Sequence, residues 1–250
     1  MRKKCLLNEV TMEACTPHSA LHVAFHGTNG TGGRLGAANV QERYRNITLN
    51  NSPARKDQPE PYRFFDVYVT TFARQFAEGD GTIKSLYLWS EEPGTGKTAS
   101  AVALLNAYLL THFVGSIQRG LQPEQRPAYF LDAHQLQTDY NMFNRPRVPD
   151  SIAEPASVRY YNAIQHAKHT EFVVIDDLAT RSTSEAFVAD LHSVVNARVT
   201  SGKPTVYTSN VPVEKLPLIF GERRLADRIG DKKLCQTVFF EGESKRGERD

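Results

Sequence analysis

The chain has 250 residues, 40% of them hydrophobic and 23% charged, which is enough for one substantial core and lacks the excess of charge, Gly or Pro that marks disorder. Lys and Arg number 30 against 28 Asp and Glu, a net charge of +2, so a chain-wide basic field for nucleic acid is excluded and any DNA contact must be a local patch. Three cysteines (Cys5, Cys15, Cys235) are too few for a disulfide framework and make a cytoplasmic location the expectation, while the start lacks a signal-peptide core and no stretch nears the ~20 apolar residues of a membrane span.

Residues 27–36 (GTNGTGGRLG) and 50–61 (NNSPARKDQPEP) are rich in Gly and Pro and read as loops, with a domain boundary near 60 that separates 1–60 from 61–250. Over 64–76 (FFDVYVTTFARQF) apolar residues recur at helical spacing up to a Gly-Asp-Gly stop. From 85 onward short apolar runs alternate with longer amphipathic stretches, the pattern of βαβ units and a parallel sheet. The predicted strands are 85–90, 128–133, 171–177, 205–210 and 236–242; predicted helices cover 97–113, 134–143, 154–169 and 183–200, with short ones from Val213 and Arg223. The expected fold class is therefore α/β with a five-stranded parallel sheet.

The first strand leads into Glu91-Glu92-Pro93-Gly94-Thr95-Gly96-Lys97-Thr98 and then an apolar helix. Small residues let successive backbone N–H groups converge on phosphates at a helix N-terminus, where the helix dipole also favours anions. Pro93, Gly94, Thr95 and Gly96 form this cradle for ATP, Lys97 reaches the β- and γ-phosphates, and the Thr98 hydroxyl is a Mg²⁺ ligand. The motif departs from G-x-x-x-x-G-K-[ST] at Glu91, which stands where the first Gly would. The run Phe172-Val173-Val174-Ile175 ends in Asp176 and Asp177, beyond the C-terminal strand end where ligands of α/β sheets bind. Asp176 suits a Mg²⁺ contact and Asp177 a base that orients water. Asn210, in Thr208-Ser209-Asn210 at the end of the next strand, can stand beside the γ-phosphate, though Ser-Asn before Val211-Pro212 also reads as a turn.

Cys5, Cys15, His18, His22 and His26 fall close together, and Cys15-x₂-His18 is a credible knuckle. Zn²⁺ wants four N or S ligands, which Cys5, Cys15, His18 and either His26 or His22 would supply; buried thiols with surface histidines are the competing reading. Between the second and third strands Arg145, Arg147, Tyr160 and Tyr161 combine cations with aromatic faces, as single-stranded DNA requires, and the same stretch also reads as a Pro-stiffened loop leading into a helix with core tyrosines.

PGTGKT (93–98), VVIDD (173–177), TSN (208–210), RLADRI (224–229) and GESKR (242–246) together resemble the DnaC/DnaI family of replicative helicase loaders within the AAA+ P-loop ATPases, especially those of phages and mobile elements. The resemblance runs from about residue 61 to the C-terminus. It implies ATP hydrolysis, a short or missing helical lid and self-association through the ATP sites. It also implies an arginine finger at Arg228 acting on a neighbouring subunit and a sensor arginine at Arg246. Arg228 paired with a surface carboxylate such as Asp227, and Arg246 in a solvated tail, are the plainer alternatives. The implied partners are the replicative DNA helicase, docked through a zinc-bearing segment in 1–60, and single-stranded DNA. An IstB-like transposition ATPase shares the same ATP site and is the second function to separate, along with a nucleotide-gated module that scarcely turns ATP over.

Overall fold

Five parallel strands, β1 (Ser85–Trp89), β2 (Ala128–Asp132), β3 (Phe172–Asp176), β4 (Thr205–Ser209) and β5 (Cys235–Phe239), form one sheet in the order β2-β3-β4-β1-β5. The computed structural model describes residues 5–9, 16, 18–77, 81–178, 184–220 and 223–244. Strands β1 to β4 lie within one residue of their predicted spans, because a strand covered on both faces appears in sequence as a short apolar run, whereas the partly exposed edge strand β5 ends three residues before its predicted end. Alternate residues serve the two faces. Leu86, Leu88, Phe130, Phe172, Val174 and Val206 join one core cluster, and Tyr87, Tyr129, Leu131, Val173, Ile175 and Tyr207 join the other.

The first face is covered by α4 (Lys97–Gln118), α3 (Pro59–Tyr68) and the N-terminal segment with α1 (Ala20–His26) and α2 (Gly33–Ala37). The second is covered by α5 (Ala133–Asn144), α6 (Asp150–His169), α7 (Glu185–Thr200), α8 (Leu216–Phe220) and α9 (Arg223–Gly230). With its 22 residues α4 runs five beyond the predicted end and is, by length and composition, apolar enough to cross a membrane, which corrects the expectation that no stretch is. Its place is the core, with 67% of its most apolar window buried.

Three further expectations change. The helix predicted over 64–76 starts earlier, with Pro59 at its first position, and after Tyr68 tightens into a 3-10 turn, Val69–Phe76. The β-branched run Val69-Thr70-Thr71 disfavours α-helix, and the Thr70 and Thr71 hydroxyls donate back to the carbonyls of Val67 and Tyr68 at 2.7 and 2.6 Å. The stretch 27–36 is not all loop, since α2 begins at Gly33, whose φ of 59° and closeness to Phe25 leave no room for a Cβ. The boundary near 60 is a change of composition and not of packing. Cys5, Leu6, Leu7, Phe25, Leu35, Val40, Leu49 and Ala54 bury themselves in the same cluster as α4, so the described residues of 1–60 have no core of their own.

Arg198 of α7 is, among the described residues, the largest side chain buried in full. It donates to the carbonyls of Ala167, Thr170, Glu171 and Pro204 and to Thr205 Oγ1, all within 2.8 Å. Burial lowers its pKa to about 10. It thereby ties the end of α6 to the entries of β3 and β4, at the edge of the sheet opposite the site described next.

Candidate nucleotide-binding site

At the C-terminal ends of β1, β3 and β4 the chain opens a cavity of about 470 Å³. One wall is the loop 90–96. Gly94 (φ 80°) and Gly96 (φ 102°) adopt conformations that L side chains rarely take, and Gly96 caps the N-terminus of α4. A Cβ on Gly96 would stand 2.3 Å from the Cβ of Ala54, so the N-terminal segment rides directly on this loop. Glu91 is absent from the positive-φ residues, so a side chain is tolerated at the position where the motif has Gly. Lys97 is buried, and its ammonium donates to Ser90 Oγ at 2.6 Å and to the Glu92 carbonyl at 3.2 Å. It is thus folded back against the loop that would hold phosphates.

Across the cavity Asp176 ends β3, buried, and accepts from Thr98 Oγ1 at 3.0 Å and from Thr208 Oγ1 at 2.6 Å. Burial raises its carboxyl to about 7, with Asp177 and Asp132 adding to the rise and the two threonine hydroxyls opposing it. Asp177 takes a left-handed φ of 53°, its N–H donating to Thr208 Oγ1 at 2.9 Å. A non-glycine held there carries strain of ~1 kcal/mol or more, a mark found often at functional turns. Pro93, Gly94, Gly96, Lys97, Thr98, Asp176, Asp177 and Asn210 all line this one cavity; Thr95, buried beneath the loop, does not line it and hydrogen-bonds Ser90 Oγ at 2.9 Å.

The cavity also takes residues that the sequence pattern did not single out. Gln41, Arg43, Tyr44 and Pro53 come from the N-terminal segment, and Asp132 and His134 from the β2–α5 junction. Asp132 caps α5 by accepting from the N–H groups of His134 and Gln135, the usual task of an Asp before a helix and the signal that could have located it. Thr208 was read only as part of a polar triplet, yet it fixes both aspartates at once.

Other residues singled out by the sequence pattern lie elsewhere. Arg228 on α9 does not line its own chain's cavity; its Nη1 is buried without a hydrogen-bond partner among the described residues. Arg246 and Cys15 lie outside the described residues. Tyr160 is a correction: it is fully buried, its hydroxyl donating to Asp190 at 2.6 Å, and so offers no face for a base to stack on. Arg145, Arg147 and Tyr161 are exposed. The metal set also changes. His22 and His26, one turn apart on α1, meet Cys5 with ligand atoms within 4.8 Å of one another, whereas His18 precedes the helix cap Ser19 and is exposed outside the group. Burial, followed by His22 and Arg45, lowers His26 to about 4, so its imidazole stays neutral at physiological pH.

A parallel sheet in this order, with a glycine loop and two acidic residues at its C-terminal edge, defines an AAA+ ATPase fold. The solved structures that share it include DnaI, with a TM-score of 0.53 and 17% identity over 81% of this chain and 95% of that one. They also include the DnaC helicase loader, with a TM-score of 0.52 and 20% identity over 80% of this chain and 100% of that one. DnaA from Aquifex aeolicus with AMPPCP bound gives 0.51 and 15%, this chain spanning 50% of its length. Neither a family model nor a curated protein matches the sequence.

Proposed function

We propose that this chain is an ATP-hydrolysing helicase loader that binds a replicative DNA helicase and helps place it on single-stranded DNA. The observation that carries the ATP site is the Thr98–Asp176 pair at 3.0 Å beside a glycine loop on a helix N-terminus. A hydroxyl and a carboxylate so placed suit Mg²⁺, which prefers oxygen ligands, and the open backbone at Gly94 and Gly96 suits phosphates. Bound Mg²⁺·ATP would supply the scissile phosphoanhydride and the cation that neutralises it. Lys97 then leaves Ser90 for the phosphates, Asp177 orients the attacking water and accepts its proton, and Asn210 holds that water in line. Arg228 of an adjacent subunit supplies charge from outside, in keeping with a buried guanidinium nitrogen that lacks a hydrogen-bond partner among the described residues.

The loader reading draws on the fold shared with DnaI and the DnaC helicase loader over nearly their whole lengths. Cys5, His22 and His26 could hold Zn²⁺ through one thiolate and two neutral imidazoles, and Arg145, Arg147 and Tyr161, each exposed, are the residues assigned to single-stranded DNA. Work in the bacterial cytoplasm, or in that of a phage host, follows from this role. The test is capture of a bacterial host's replicative helicase on the immobilised chain with and without ATP, beside Lys97→Ala. ATP-dependent capture lost in Lys97→Ala supports the reading. No helicase in either condition, together with a recombinase partner or duplex remodelling, would transfer it to the transposition class.

A further inference from the structure

The cavity at the strand ends is lined by two Lys or Arg side chains among the described residues, Lys97 and Arg43. Arg43 belongs to none of the strands or α-helices of the sheet and its cover. It sits in the 3-10 turn Glu42–Tyr44, in the segment that passes over the end of β2. Two contacts fix it. Its Nε donates to Gln41 Oε1 at 3.1 Å, and its guanidinium lies over the Tyr44 ring at 4.5 Å. Gln41 in turn donates to Asp132 Oδ2 at 3.1 Å, and Asp132 stands directly beside Asp176 in the β2–β3 register. The guanidinium is therefore held by one edge and one face, and its two terminal nitrogens make no hydrogen bond or ion pair among the described residues.

The neighbouring arginines are used differently. Arg55 makes a two-bond pair with Asp66, and Arg45 donates to the carbonyls of Val40 and Gly30. Those two brace the segment, whereas Arg43 offers a pair of donors to the cavity. A planar fork of N–H groups matches phosphate oxygens and binds them more strongly than neutral donors would. Its position selects which phosphate. The glycine loop and the start of α4 line the β1 side of the cavity, while Arg43 belongs to the β2–β3 side, past the Thr98–Asp176 pair that would hold Mg²⁺. Resting on the ATP-site reading above, we infer that Arg43 binds the terminal phosphate of the nucleotide held in its own subunit, and so makes each subunit distinguish a nucleoside triphosphate from a diphosphate before any neighbour is present.

The experiment uses the full chain with Arg43→Ala, Arg43→Gln and Arg43→Lys, each checked for parental thermal unfolding, and titrates ATP and ADP with Mg²⁺. Losing charge-assisted bonds to the terminal phosphate weakens ATP by about tenfold to a hundredfold and ADP by less than about threefold, with Lys between parent and Ala. Gln keeps the length of the side chain over Tyr44, so it serves if the Ala variant unfolds. Equal weakening of both nucleotides, or of neither, overturns the inference while parental ATP binding stands. If the parent binds no nucleotide, as is expected of Lys97→Ala, the ATP-site reading itself fails. Turnover in mixtures gives the second readout. Arg43→Ala mixed with Lys97→Ala recovers no activity if Arg43 acts within its own subunit, and recovery would overturn that assignment.

Discussion

Replacing Asp176 by Asn should make the nucleotide-free chain more stable and at the same time abolish Mg²⁺·ATP binding. Burial, with Asp177 and Asp132 nearby, lifts the carboxyl from 3.8 to about 7, against the pull of the Thr208 and Thr98 hydroxyls. An acid whose folded pKa is raised favours the fold fully below its unfolded value, and that contribution is lost as pH rises through the folded value. Stability attributable to Asp176 therefore falls across the window from 3.8 to about 7 and is flat above it. At ~1.4 kcal/mol per pH unit the full penalty approaches ~4 kcal/mol, and ~2 to 4 is a realistic range. Asn keeps the shape and a carbonyl to accept from Thr98 and Thr208, but carries no charge to bury. Urea unfolding of both proteins without nucleotide or Mg²⁺, from about pH 5 to about pH 8, should show the variant's advantage growing by ~1.4 kcal/mol per unit and then levelling. A stability difference that stays constant over that range would refute the reasoning, because it would mean that Asp176 does not change protonation there.

Asp177→Asn should leave ATP affinity within about threefold and slow turnover by about a hundredfold or more, measured as phosphate release under saturating ATP. Arg228→Ala should lower turnover, and mixing it with Lys97→Ala should restore part of the loss; no recovery at any ratio, with association confirmed, would remove the trans role. Arg198→Met should cost ~3 to 5 kcal/mol in urea unfolding, because four carbonyls and a hydroxyl at the sheet entry lose their donor while volume is nearly kept.

The sheet was legible because two-sided burial writes itself as apolar runs, and the glycine loop before α4 because its signal is local: Gly94, Gly96, Lys97 and Thr98 are consecutive or nearly so. Gln41, Arg43 and Asp132 were not legible as a site. Each is an ordinary polar residue, and what unites them is hydrogen bonding across about 90 positions, for which a single sequence has no signature. Short α1 and α2 fell under Gly-rich and His-rich stretches too brief for a helical period to declare itself. Tyr160 is different, since its place could have been read. Ala156, Tyr160, Ile164 and Ala167 follow one face of α6 and are all buried, which turns the adjacent Tyr161 about 100° away into solvent. The spacing of the histidines held a similar clue, because an i, i+4 pair on a helix converges, whereas His18, before the cap, lies outside the group.

The way the N-terminal segment closes on the glycine loop bears on how such a protein can change over time. Ala54 abuts Gly96, and Gln58 mimics a strand neighbour, donating to the Glu241 carbonyl at 2.6 Å and accepting from its N–H at 3.2 Å, with Thr95 O within 3.5 Å. The segment proposed to choose a partner is thereby part of the wall of the candidate nucleotide site. A foreign segment would have to fit Gly96, Thr95 and Glu241 to leave that wall intact, which sets it apart from an exchangeable cassette. Partner choice and catalytic competence would then be inherited together, and a drift in one would have to be matched by compensating change in the other.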